Sequence, residues 1–136
     1  MRELERRGVP REHTAAAAAR AVRALVQTLE DPRGRWLLAA HPDAQSEYRM
    51  RVVANGVVHG CVMDRVFRDA DGTRWIVDYK TSGHEGGKVE AFLDQERQRY
   101  EKQLARYAMA LGETSTMLGL CFPLLSGWRA WKDPKG

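Results

Sequence analysis

The dipeptide Asn55-Gly56 constrains the fold of this chain more than any other pair of residues in it. Asn and Gly tolerate the two positive-φ positions of a tight two-residue turn, and here they separate two alternating runs. Glu47-Tyr48-Arg49-Met50-Arg51-Val52-Val53 precedes the pair, and Val57 to about Phe67 follows it. The middle of the chain is thereby committed to a β-hairpin. Asp69-Ala70-Asp71-Gly72 then turns the second strand into a third, the β-branched and aromatic run Thr73 to Lys80. Short turns between consecutive strands make an antiparallel meander.

Helical periodicity lies on either side. Arg11 to Glu30 is Ala-rich and carries Val22, Leu25, Val26 and Leu29 on one stripe, until Asp31-Pro32 ends it. A shorter helical piece is expected over Arg33 to His41. Thr81 to Gly87, with three glycines, reads as a loop. Val89 to Leu111 reads as a long amphipathic helix with Phe92, Leu93, Tyr100, Leu104, Tyr107 and Leu111 inward. Thr116 to Leu125 is expected as an apolar strand and Gly127 to Trp131 as a short edge strand. The reading is an α/β domain of order helix, three strands, helix, strand. At 136 residues it suits one core, so residues 1–136 are expected to form a single domain.

Composition narrows the class mainly by exclusion. Hydrophobic residues make 43% and charged residues 29% of the chain, and no apolar run is long enough to cross a bilayer or start a secretion signal. A cytoplasmic protein without a membrane partner is the expectation. Cys61 and Cys121 sit in apolar runs and are expected as buried free thiols; two cysteines cannot hold a four-thiolate cluster or, unaided, a structural zinc. Lys and Arg exceed Asp and Glu by 22 to 18, a net charge of +4 that permits a DNA partner without establishing one.

The chemistry enters through two misplaced carboxylates. Strict alternation would put Val58, Gly60, Val62, Asp64 and Val66 on one face of the second strand, and Ile76, Asp78 and Lys80 on one face of the third. An ionised carboxylate on an apolar face is costly unless a cation or hydrogen-bond donors meet it. Thirteen residues separate Asp64 from Asp78 and include the connecting turn, so the meander brings both acids to one end of the sheet. Like charges held together repel, and a hard cation such as Mg²⁺ or Mn²⁺ with water and phosphate oxygens resolves the conflict. Lys80, on the same side, is placed to orient an attacking water or to offset transition-state charge. The alternative is a buried Asp–Lys pair that only closes the meander, since Asp-x-Lys tripeptides are common by chance.

Context weighs against the alternative. The run Gly60-Cys-Val-Met-Asp64-Arg65, then Asp71-Gly72, then Trp75-Ile-Val-Asp78-Tyr79-Lys80-Thr81-Ser82, then Gln103-Leu-Ala-Arg-Tyr107 resembles the PD-(D/E)XK nuclease domain of the RecB/AddA type. The flanking strings Asp31-Pro-Arg-Gly-Arg-Trp36 and Phe122-Pro-Leu-Leu-Ser-Gly-Trp128 are similar to the C-terminal exonuclease region of bacterial UvrD-like helicases. The resemblance implies a restriction-endonuclease-like αβββαβ core, a small mixed sheet flanked by helices. It implies Mg²⁺- or Mn²⁺-dependent hydrolysis of DNA in double-strand-break processing and recombinational repair. A helicase motor on the same polypeptide or complex, and a second nuclease-complex subunit, are the partners it suggests.

Carried over by position, the resemblance makes Asp64 and Asp78 metal ligands, with the backbone carbonyl of Tyr79 as a third, and Lys80 the lysine of the motif. Gln103 and Tyr107 match its Gln-x-x-x-Tyr element, as contacts to the site or to DNA or as helix packing. Glu47 matches an acidic residue on the first strand, equally readable as an exposed strand residue. Arg65, His59, His84, Glu85, Trp128 and Trp131 are weaker candidates. The family's Gly-Thr-x-x-His string has no counterpart, since His13 stands in Arg-Glu-His-Thr. The chain is therefore expected to lack the His-bearing upstream helix and to bind metal weakly. The rival readings are a DNA-binding clamp or regulatory domain of the same fold without activity, and a structural domain that docks a partner subunit.

Overall fold

The computed structural model describes residues 11–84 and 86–134, with side chains from Thr14 onward except at Ala54. Helix α1 spans Arg11–Glu30 and α2 Pro32–Leu38; strands β1 (Gln45–Ala54), β2 (Val57–Arg68) and β3 (Arg74–Tyr79) follow. Helix α3 (Val89–Leu111), strand β4 (Met117–Phe122), a 3₁₀ turn at Pro123–Leu125 and strand β5 (Gly127–Lys132) complete the order. The five strands form one mixed sheet in sequence order. β1, β2 and β3 are antiparallel neighbours, β3 and β4 run parallel through the α3 crossover, and β5 returns antiparallel. This is a mixed α/β sheet flanked by helices, consistent with a restriction-endonuclease-like fold.

The hairpin turn forms as expected, with Asn55 at φ 53° and Gly56 at φ 76°. The two helix bounds read from periodicity agree with α1 and α3. Other ends shift by a few residues. Asp31 is the N-cap of α2, its carboxylate accepting from the Arg33 amide, so this helix starts and stops earlier than Arg33 to His41. Pro123 ends β4 and opens the 3₁₀ turn, which removes Leu124 and Leu125 from the expected strand.

The sheet separates two cores. On one face Met63, Val66, Ile76, Leu118, Leu120 and Phe122 pack against Leu93, Leu104 and Ala108 of α3, with Trp131. On the other, Leu37 of α2 joins Phe67, Val77 and Cys121, covered by the half-buried Trp36, Trp75 and Trp128. Cys61 and Cys121 are unpaired. Lys88 gives α3 no side-chain cap at its start, whereas Gly112 at φ 70° closes its end by donating to the Ala108 and Met109 carbonyls; burial of the apolar face holds the rest.

Two faces depart from what simple periodicity suggests. The stripe Val22, Leu25, Val26 and Leu29 is exposed, at 61%, 55%, 46% and 51%; α1 turns Thr14, Ala24 and Thr28 inward instead. The reason is close approach at the α1–α2 corner. A Cβ on Gly34 would lie 2.0 Å from the Thr28 carbonyl oxygen, so small residues line the contact and the large aliphatics point away. In β2 the expected common face of Val58, Gly60, Val62, Asp64 and Val66 is also wrong. Val58 and Val62 are exposed, whereas Cys61 and Met63 join Val66 in the α3-side core. Alternation breaks between Met63 and Asp64. Opposite the break stands Glu47 at φ 51°, where the β1–β2 pairing skips from Ser46↔Arg65 to Tyr48↔Met63. That left-handed residue twists both strands, so the parity before it cannot be carried past it.

Candidate active site

The site is built at the open end of the β2–β3 hairpin. The register that pairs Arg65 with Val77 and Val66 with Ile76, continued by one residue, sets Asp64 beside Asp78 on the α3 side. Oδ2 of Asp64 accepts the Tyr79 amide at 2.8 Å. Asp78 is 7% exposed, and its Oδ2 lies 2.6 Å from the Lys80 Nζ. The Lys80 amide donates to the Cys121 carbonyl at 2.8 Å, so the ladder to β4 continues past the end of β3 and fixes the backbone of the tripeptide. The Lys80 ammonium also sits 3.7 Å from the ring centroid of Tyr100 on α3.

Two carboxylates share one lysine, and Asp64 shows the consequence. Burial, the hydrogen bond with Asp78 and the Asp78 charge push Asp64 up to about 7, against the lowering effects of the Tyr79 amide and Lys80. An added cation would reverse that conflict. The pair therefore fits a hard divalent ion, for which carboxylate oxygens, water and phosphate are the usual donors. Among the described residues no group of three or more His, Cys, Asp or Glu side chains is placed to hold a metal, so the rest of such an ion's shell would fall to backbone, water and substrate.

The remaining candidates divide. Gln103 Nε2 donates to the Tyr107 hydroxyl at 2.8 Å, and that hydroxyl is pushed up by burial and then by the charges of Asp78, Cys61 and Asp64, against the Gln103 hydrogen bond. Gln103 and Tyr107 thus stand beside the acids. Glu47 is exposed, at the register position facing Asp64. The Tyr79 ring turns to the opposite face, where its hydroxyl is buried without a partner among the described residues. Burial first pushes that hydroxyl up to about 12. Arg65 is spent locally, donating to the Leu37 and Ala39 carbonyls and to Ser46. His84 stacks on Phe92 at 4.7 Å, Trp131 lies in the core, and Trp128 joins the aromatic layer. His59 is exposed. Glu85 and the His13 side chain lie outside the described residues. Tyr100 was legible only as an inward helix residue; its spacing of three from Gln103 and seven from Tyr107 marks the same helix face.

A family model described as the PD-(D/E)XK nuclease superfamily matches residues 1–120. No curated protein matches. Among solved structures, the crystal structure of SSO0001 aligns at 14% identity and a TM-score of 0.43, over 89% of this chain and 59% of that one. The chain thus spans less than two thirds of that structure. No helix among the described residues is long and apolar enough to cross a membrane.

Proposed function

This chain belongs to the PD-(D/E)XK nuclease superfamily, and from that premise we propose that it hydrolyses DNA phosphodiester bonds at Asp64, Asp78 and Lys80. The observation that carries the reading is the meeting of two carboxylates at one ammonium: Asp64 stands beside Asp78, whose Oδ2 lies 2.6 Å from the Lys80 Nζ, and burial, then the contact with Asp78, pushes Asp64 up to about 7. Asp64 and Asp78 would hold Mg²⁺ or Mn²⁺, with the Tyr79 carbonyl as a third donor. Such an ion supplies Lewis acidity to a phosphoryl oxygen and makes water a better nucleophile at neutral pH. Lys80 places an ammonium beside the same point, where it offsets charge that grows on the phosphoryl oxygens. Gln103 and Tyr107 present hydrogen-bonding groups from α3 to the approaching DNA backbone. Glu47 is a further candidate at the rim. The finer assignment is an exonuclease module of a bacterial RecB/AddA-type helicase–nuclease in the cytoplasm, acting with a UvrD-like motor in break repair; the spacing of the four motifs supports it.

A second reading, a DNA-binding clamp or regulatory domain without activity, draws support from the lack of a third acidic or imidazole group among the described residues. Degradation of linear DNA by this chain in Mg²⁺ or Mn²⁺ separates the two. Cleavage that disappears in Asp78→Ala supports the nuclease, whereas metal-independent DNA binding without cleavage supports the clamp.

A further inference from the structure

Lys80 has two partners of different kinds. Its Nζ is 2.6 Å from Asp78 Oδ2 and 3.7 Å from the Tyr100 ring centroid. A divalent ion held by Asp78 competes for the first contact, because the same carboxylate oxygens serve lysine and metal. It does not compete for the second, since an aromatic face is no ligand for a hard cation. Tyr100 belongs to α3, one turn before Gln103, and packs against the α3-side core. The ring is thus mounted on a rigid element, while the lysine stem retains rotatable bonds.

We propose that Tyr100 is the positioning residue for Lys80: its ring holds the ammonium at the site by a cation–π contact and keeps it there when a metal ion claims Asp78. A lysine tethered only by Asp78 would be displaced as the site loads, and its stem would be free to swing into solvent. The aromatic face supplies an anchor independent of the carboxylate, and a partly desolvated ammonium gains most from such a contact. This inference rests on the nuclease reading for its consequence but not for its geometry.

The experiment has two arms, chosen so that the two ideas fail separately. In the first, the Lys80 ε-methylene resonances of the metal-free chain are assigned by NMR and followed as Mg²⁺ is added. Expected is an upfield ring-current shift in wild type and Tyr100→Phe, absent in Tyr100→Leu and retained in wild type at saturating Mg²⁺. A Lys80 signal without that shift, or one that loses it with Mg²⁺, overturns the inference whether or not the chain cleaves DNA. In the second arm, Tyr100→Leu is expected to lower kcat for linear DNA roughly tenfold with KM nearly unchanged, and Tyr100→Phe to restore it. In a Lys80→Ala background Tyr100→Leu should cost nothing further. Equal losses with and without Lys80, or an unchanged kcat in a folded Tyr100→Leu, would remove the positioning role while leaving the nuclease reading intact. A wild type that cleaves no DNA in either metal sinks the nuclease reading alone, and the NMR arm then decides about Tyr100.

Discussion

The β2–β3 hairpin carries a charge cluster at each end, and the two are built to opposite specifications. At the turn end, the Glu113 carboxylate receives Arg74 at 2.8 and 3.2 Å and Arg68 at 2.8 Å, while Arg68 also reaches Asp43 at 3.2 Å. Two arginines answer two acids, and the Arg74 hydrogen bond holds Glu113 below its ordinary range. At the open end, two acids meet one lysine, and burial, then the contact with Asp78, drives Asp64 up to about 7. The balanced cluster is complete as it stands and serves the fold. The unbalanced one costs stability until something positive arrives, which is how a binding site differs from a structural ion network on one sheet.

The comparison breaks most sharply on activity. Asp78→Ala should lower metal-dependent hydrolysis of linear DNA by roughly three orders of magnitude and abolish any rise in melting temperature with Mn²⁺. Glu113→Gln should leave both intact when assayed below its melting temperature. If Glu113→Gln proved as damaging to rate, the turn end would have to be counted in the site. Next in size, Lys80→Ala should cut the rate by about two orders of magnitude and DNA affinity far less, since one phosphate contact among several is lost. Equal losses would make Lys80 a binding group.

The remaining tests sharpen the contrast through pH. Glu113 is lowered in the folded chain, so its contribution is present above its unfolded pKa and is lost as pH falls through the folded value. Glu113→Gln should therefore cost about 1–2 kcal/mol at pH 7 and much less near pH 3, read from urea midpoints. Asp64 is raised, so its sign is opposite. The folded state is favoured by Asp64 below the ordinary carboxylate value of 3.8 and loses that advantage as pH rises to about 7. In metal-free buffer, Asp64→Asn should gain roughly 1 kcal/mol over wild type at pH 8 relative to pH 4, after allowance for solvent screening. Parallel curves for mutant and wild type would mean that Asp64 is already neutralised by its neighbours.

Much of this was legible in the residues. The Asn55-Gly56 turn, the meander and the bounds of α1 and α3 follow from period and turn chemistry, which are local. The pairing of Asp64 with Asp78 was legible because hairpin closure is also local. What failed was assignment of faces. Period 3.6 identified α1 but not which side it buries, because Gly34 and Thr28 decide that through a contact six residues apart. Period 2 identified β2 but not the parity change at Glu47, which depends on one residue's φ of 51° on the neighbouring strand. Asp64 faces α3 together with Met63's core, so the acid adjoins an apolar floor that strict alternation would have put across the sheet. Tyr100 was hidden for a related reason: whether an inward aromatic packs on methylenes or on an ammonium depends here on Lys80, twenty residues upstream.

Gly34 also has a meaning for descent. A methyl group there would overlap the Thr28 carbonyl at 2.0 Å, whereas one at Gly60 on the hairpin arm meets nothing within 4 Å. Position 60 has room for a side chain, but position 34 is closed to single substitution. Lineages that diverge elsewhere should still carry the same small residue where the chain doubles back.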